Sequence, residues 1–329
     1  GVTTNHCPTN GKSDTAFSTV KSAIDAAPWA APWDCYRVTL TSTALGDSST
    51  TYGYYHKYLV DSVTERDPIA DSPDTVYSYA YVGDPAWAYD ASPLYYVAAA
   101  PSGPVDYSDF RGYAEVRVTT GSGSTMSTTA TQYFRGIHGT YRTSGAAVAA
   151  LTQWGSNAAI PDVPALRGQV AATRDYPGSP NSAGDNFLAE GWTTWNAPIV
   201  TVDGPHHNDA VLYRVSSATR KKALFDPNGN GHDPSSMLVS TVATAYDDTY
   251  WWMPSSITTD ADTSASGDET CNIMTYISRV IDGSGNEQDF EDVTAWGGDL
   301  YMIVSSSGES RWGQCDSGVV TSAWQIGYD

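Results

Sequence analysis

Positive charge is scarce in this chain: Lys and Arg number 17 against 37 Asp and Glu, a formal net charge of -20 at pH 7. Too few cations are present to neutralise a phosphate backbone and release its counterions, which excludes nucleic acid as a partner. The same deficit argues against anionic membrane surfaces. Long apolar runs are also missing. A bilayer span needs about 20 such residues, and the longest small-residue stretch, Tyr95 to Pro101, is far shorter. The start of the chain turns polar at once and carries no signal-peptide pattern, so any leader is expected to have been removed. None of the four cysteines, Cys7, Cys35, Cys271 and Cys315, lies in a Cys-x-x-Cys pair, which weakens zinc-ribbon and redox readings. Catalytic signatures are lacking as well: there is no Gly-x-Ser-x-Gly elbow, no His-Glu-x-x-His and no P-loop.

Aromatic and β-branched residues are what the chain has in quantity. Aromatics reach 12%, with 22 Tyr and 11 Trp, and Thr and Ser are abundant. These residues suit a pleated, half-buried surface. One helix is expected over about 14–27, where Phe17, Val20 and Ile24 fall at helical spacing after Ser13 or Asp14 and before Pro28. Elsewhere period-two alternation predicts strands over 35–41, 58–64, 75–82, 113–119 and 237–246. Turn signals stand at Gly121 to Ser124, Asp203-Gly204, Asn228 to Gly231 and Asp282-Gly283, and a surface loop is expected over 91–105. The fold class that follows is all-β, strand- and turn-rich, with one short N-terminal helix. Length alone allows one large or two modest domains. A soft boundary divides residues 1–115, with the helix and one disulfide, from residues 116–329.

An even number of cysteines in an acidic, Lys-poor, Thr-rich chain points to an oxidising, extracellular location, with the acidic surface keeping a secreted protein dispersed. Local pairing, Cys7 with Cys35 and Cys271 with Cys315, is the simplest of three connectivities; four buried free thiols are the alternative. Asp226, Asn228 and Asn230 occupy positions one, three and five of a calcium loop, with Gly231 at six and Asp233 as a further oxygen donor. Met237 stands where a bidentate Glu would be, and a plain Asn-Gly turn, which needs no metal, accounts for the same residues. No other cofactor is implied. His206-His207 is a weak transition-metal patch, since adjacent strand residues face opposite ways. A glycosidase needs two carboxyls across a sugar cleft; Glu65, Asp67, Asp84, Asp90 and Glu115 qualify by type, and nothing selects among them. Trp87, Trp192, Trp195, Trp251 and Trp252 are candidates for stacking on sugars, although strand aromatics more often fill cores.

Several segments carry a resemblance. They are Tyr54-Tyr-His-Lys-Tyr-Leu-Val-Asp-Ser-Val-Thr-Glu65, Tyr81-Val-Gly-Asp-Pro-Ala-Trp-Ala-Tyr-Asp90, Ser108-Asp-Phe-Arg-Gly-Tyr113 and Gln132-Tyr-Phe-Arg-Gly-Ile-His-Gly139. Ala165-Leu-Arg-Gly-Gln169, Thr244 to Asp248 and Gly267 to Tyr276 extend the series. In this order they resemble the secreted Rhs/YD-repeat proteins of actinobacteria and, more distantly, toxin-complex shells. The stretch from Cys35 to Gly139 is the most specific, while residues 199–224, 250–253 and 299–312 depart from the pattern. The resemblance implies a section of a strand-built shell preceding the YD-repeat array, with no catalytic residues of its own. Its partners would be the remainder of the same polypeptide or a second copy, with a toxin as possible cargo. A secreted glycan-binding module and a carboxylate-based glycoside hydrolase are the alternatives.

Overall fold

The computed structural model describes residues 15–27, 35–41, 50–69, 73–88, 106–139, 141–142, 145–146, 149–182, 184–202, 210–225, 232–247, 253–281, 287–289, 301–313 and 315–326. The chain is all-β, with a single helix longer than one turn among these residues. It forms two compact units. The first takes Gly1–Trp192, Ala197–Tyr213 and Phe225–Ser235; the second takes Thr193–Asn196, Arg214–Leu224 and Ser236–Asp329. The boundary expected at 115/116 lies inside the first unit.

The first unit opens with α1 (Thr15–Ala26) packed on the antiparallel hairpin of β1 (Cys35–Thr41) and β2 (Thr50–His56). Val20 and Ile24, one helical turn apart, are buried at 2% and 1% exposure. They meet Cys35, Trp87 and Tyr107, with Tyr36, Tyr54 and Phe110 around them. Asp25 ties the helix to the hairpin, accepting from Lys21 Nζ at 2.8 Å, Arg37 Nη1 at 3.1 Å and Tyr54 Oη at 2.7 Å. Burial works to raise the Asp25 pKa, but these donors outweigh it and hold the carboxyl below its ordinary value.

An antiparallel sheet follows. Its strands are β3 (Ser62–Glu65), β4 (Thr75–Val82), β7 (Glu115–Thr120), β8 (Ser127–Tyr133), β13 (Val170–Tyr176) and β14 (Ala189–Trp195), each hydrogen-bonded to the next. The expected turn at 121–124 joins β7 to β8. Smaller ladders pair β5 (Ala86–Ala88) with β6 (Asp109–Gly112), β9 (Tyr141–Arg142) with β10 (Gly145–Ala146), β11 (Ala150–Thr152) with β12 (Ala159–Pro161), and β15 (Ile199–Val202) with β16 (Ala210–Leu212). Part of the interior is polar. The inward side of β8 is Thr128, Ala130 and Gln132. Gln132 accepts from the Trp154 N–H, and Gln153, fully buried, donates to the Ala171 carbonyl at 2.7 Å. Each amide satisfies backbone that would otherwise be orphaned.

Trp192 on β14 packs against Gly155. A Cβ at Gly155, whose φ is +76°, would stand 2.1 Å from the Trp192 Cε3. Gly155→Ala is therefore expected to displace the indole and cost about 1–3 kcal/mol as overpacking, read as a lower urea midpoint of the first unit; an unchanged midpoint refutes this packing.

The second unit is a meander. From the end of β14 the order runs through β17 (Val215–Phe225), β18 (His232–Tyr246), β19 (Pro254–Asp260), β20 (Thr270–Ile281), β22 (Tyr301–Trp312) and β23 (Val319–Ile326), with β21 (Glu287–Asp289) paired to β20. Thr194 meets Ser216 and Ser217 at 2.8 and 2.6 Å across the first pairing. Cys271 and Cys315 are bonded, joining the start of β20 to the turn between β22 and β23.

Candidate functional site

Two features of the structure are suited to contact with other molecules: the outer edge of β23 and a cavity in the first unit. β23 pairs with β22 from Trp312↔Val319 to Ser306↔Ile326, and no strand lies beyond it among the described residues. A bulge between Ser310 and Arg311 leaves Thr321 out of register, and its hydroxyl donates to the Ser310 carbonyl at 2.9 Å. Arg311 fixes the preceding turn, donating to the Cys315 carbonyl at 2.9 Å and to Glu309 at 2.8 Å. The strand is thus clamped at its beginning, while Val319 and Val320 stand 72% and 48% exposed.

The cavity, of about 500 Å³, is lined by Tyr36, Lys57, Trp87, Ser108, Asp109, Phe110 and Arg167. Its ring wall is fixed: Trp87 lies 5.1 Å from Tyr36 and 4.9 Å from Phe110, centroid to centroid. Arg167 grips Asp109 with two donors, at 2.8 and 3.2 Å, and Arg111 Nε reaches the same carboxylate at 2.7 Å. Behind this lies a recurring local design. Phe110-Arg111-Gly112, Phe134-Arg135-Gly136 and Leu166-Arg167-Gly168 each pair an apolar residue with an arginine and a glycine of positive φ. Phe134 and Leu166 are each 1% exposed. Asp162, also 1% exposed, accepts the N–H groups of Gly136 at 2.6 Å and Arg135 at 2.7 Å, with Arg135 Nε 3.7 Å from its other oxygen. Burial pushes the Asp162 pKa up, opposed by the Gly136 bond and the Arg135 charge.

Cys271–Cys315 forms as expected. Cys35 is disulfide-bonded, whereas Cys7 lies outside the described residues. Of the calcium candidates, Asp226, Asn228 and Asn230 lie outside them too, and Asp233 falls in β18 with its side chain undescribed. Trp251, Trp252, His206 and His207 are likewise outside. Trp87 is buried with the rest of β5, at 2% exposure in the core that includes Val20 and Ile24 of α1, and also lines the cavity. Trp192 and Trp195 are half-buried, on the strand where the two units divide. Among the described residues, the aromatic side chains most open to solvent are Tyr52, Tyr55 and Tyr58, at 41%, 45% and 84%. Among the acidic candidates, Glu65 accepts from Tyr77 and Glu115 is paired with Arg117, while Asp90 is outside the described residues. Four segments quoted for the resemblance meet at the cavity, through Lys57, Trp87, Ser108 to Phe110, and Arg167. Composition and periodicity did not single out that convergence.

No family model and no curated protein matches the chain. Solved structures do. A crystal structure of TcdB2-TccC3 matches over 77% of this chain at 11% identity and a TM-score of 0.40. TcdB2-TccC3-Cdc42 matches over 72%, also at 11%, with a TM-score of 0.39. TcdB2-TccC3 without its hypervariable C-terminal region matches over 77% at 11% and 0.40. The chain spans about 12% of the length of each.

Proposed function

We propose that this chain is a structural module of the Rhs/YD-repeat shell type, acting by strand pairing through the outer edge of β23. The observation that carries the reading is an asymmetry between two sheet edges. The edge at β3 is short, ends on Glu65 and is flanked by Asp61, Arg66 and Pro68, the charges and proline that discourage edge pairing. β23 is eight residues long, Val-Val-Thr-Ser-Ala-Trp-Gln-Ile, with neither charge nor proline. An edge left bare where another is guarded is suited to receiving a strand, from the same larger polypeptide or from a second copy. Extracellular location and enclosure of a cargo belong to the same proposal, the former supported by the bonded cysteines.

In isolation the chain has only its own copies to pair with. Sedimentation velocity is expected to show association growing with concentration in the micromolar range. Val320→Lys with Ser322→Lys, both at exposed positions, should return a monomer with an unaltered melting transition. A wild-type chain that stays monomeric throughout, or a double variant that associates as before, overturns the proposal.

A further inference from the structure

The cavity in the first unit concentrates positive charge within a chain of net charge -20. Its charged lining residues are Lys57, Arg167 and Asp109. Asp109 is already matched by both Arg167 and Arg111, so the Lys57 ammonium is surplus. Lys57 is exposed and has no hydrogen-bond or ion-pair partner among the described residues. Arg167 is 46% exposed at its side chain and keeps donors beyond the two that hold Asp109. Two exposed cations lining one concave site call for an anionic group, and an ammonium with a planar guanidinium suits a carboxylate.

The remaining wall narrows the class. Asp109 and Ser108 offer acceptor oxygens, which suit a ligand that also carries hydroxyl donors. Tyr36 and Phe110 supply half-buried rings held in place by Trp87, and aromatic rings suit the C–H face of a pyranose. A peptide rich in Asp and Glu brings repeated charge and no hydroxyls, so it would leave the acceptor oxygens of Asp109 and Ser108 unused. A cavity of about 500 Å³ is in the range of small-ligand sites.

We propose that this cavity binds a sugar bearing one carboxylate, of the uronic acid type. The carboxylate sits on Lys57 and Arg167, the hydroxyls on Asp109 and Ser108, and the ring lies against Tyr36 and Phe110. This site stands apart from the β23 edge and does not depend on it.

The test is titration of the full chain by NMR and calorimetry with glucuronic acid, glucose and a glutamate-rich peptide. Glucuronic acid is expected to bind saturably, at least about tenfold more tightly than glucose, as loss of a charge-assisted hydrogen bond would imply. The peptide should not compete. Lys57→Gln removes an exposed, unpaired side chain, so its melting transition should match the wild type while its affinity for glucuronic acid falls about tenfold or more. Added salt should weaken binding in the wild type more than in the variant. The proposal is overturned if glucuronic acid does not bind saturably, if glucose binds equally well, if the peptide displaces it, or if a folded Lys57→Gln chain binds unchanged.

Discussion

Asp162→Ala is expected to lower the unfolding free energy of the first unit by about 2–5 kcal/mol, since each of two donors left unsatisfied costs about 1–3 kcal/mol. The carboxylate is 1% exposed and holds the N–H groups of Arg135 and Gly136 at 2.7 and 2.6 Å. Truncation orphans both donors and leaves the Arg135 guanidinium without its acid. Asp162→Asn keeps one acceptor oxygen and should cost less. The pH dependence has a definite sign. Burial raises the native pKa of Asp162 above its ordinary 3.8, so between those two values the folded chain binds more protons than the unfolded one. Stability therefore falls as pH rises through that window. In Asp162→Asn this component should vanish. Asp25 acts below the same ordinary value: its native pKa is depressed, so its stabilisation is present above 3.8 and lost as pH falls through the native value. Urea midpoints of wild type and Asp162→Asn across mildly acidic pH test this. A variant with the same slope as wild type in the window above 3.8 refutes the assignment, as does a full-strength Asp162→Ala chain.

Cys271→Ala with Cys315→Ala is expected to cost the second unit about 4 kcal/mol, the chain-entropy value for a loop of this length, the two cysteines being 44 residues apart. Substitution is preferable to reduction, because Cys35 is also disulfide-bonded and a reductant would act on both bonds. Hydrogen exchange should quicken along β23 in the variant, since the bond anchors the turn from which that strand starts. Exchange over β1 and β2, in the first unit, should hold. Unchanged exchange at Val319 to Ile326 with an unchanged midpoint would show that Arg311 and the bulge suffice.

Strands whose two faces differ in polarity were legible in the sequence. The alternation at Cys35–Thr41 and Thr75–Val82 marks strands with the same bounds, and the helix at Thr15–Ala26 follows from the spacing of Val20 and Ile24. The expectation over 58–64 failed in its first half: the strand covers only Ser62–Glu65, all exposed, with residues 57–61 irregular. β8 was marked only as the strand that follows the turn at Gly121 to Ser124, without bounds, because its buried side is Thr128, Ala130 and Gln132, where hydrophobic periodicity has nothing to register. Buried Asp162, Glu190 and Gln153 are invisible for the same reason, since their partners come from distant segments. Glu190 binds Arg174 at 2.6 Å, and that guanidinium lies 4.8 Å from the ring centroids of both Trp154 and Phe187. The cavity residues stood within segments already conspicuous in the sequence. What the sequence alone could not supply was that Arg167 closes on Asp109, 58 positions earlier.

The strand order of the second unit has a kinetic meaning. From β17 through β18, β19, β20 and β22 to β23, each strand pairs with one made shortly before it. Such a meander can grow by successive hairpins as the chain emerges, each new strand finding its template already in place, and contacts between sequence neighbours form quickly. The lock comes last. Cys315 lies beyond β22, and pairing of β20 with β22 along Thr270↔Trp312 to Ile281↔Tyr301 sets it beside Cys271. Oxidation after that pairing seals the register the strands have chosen.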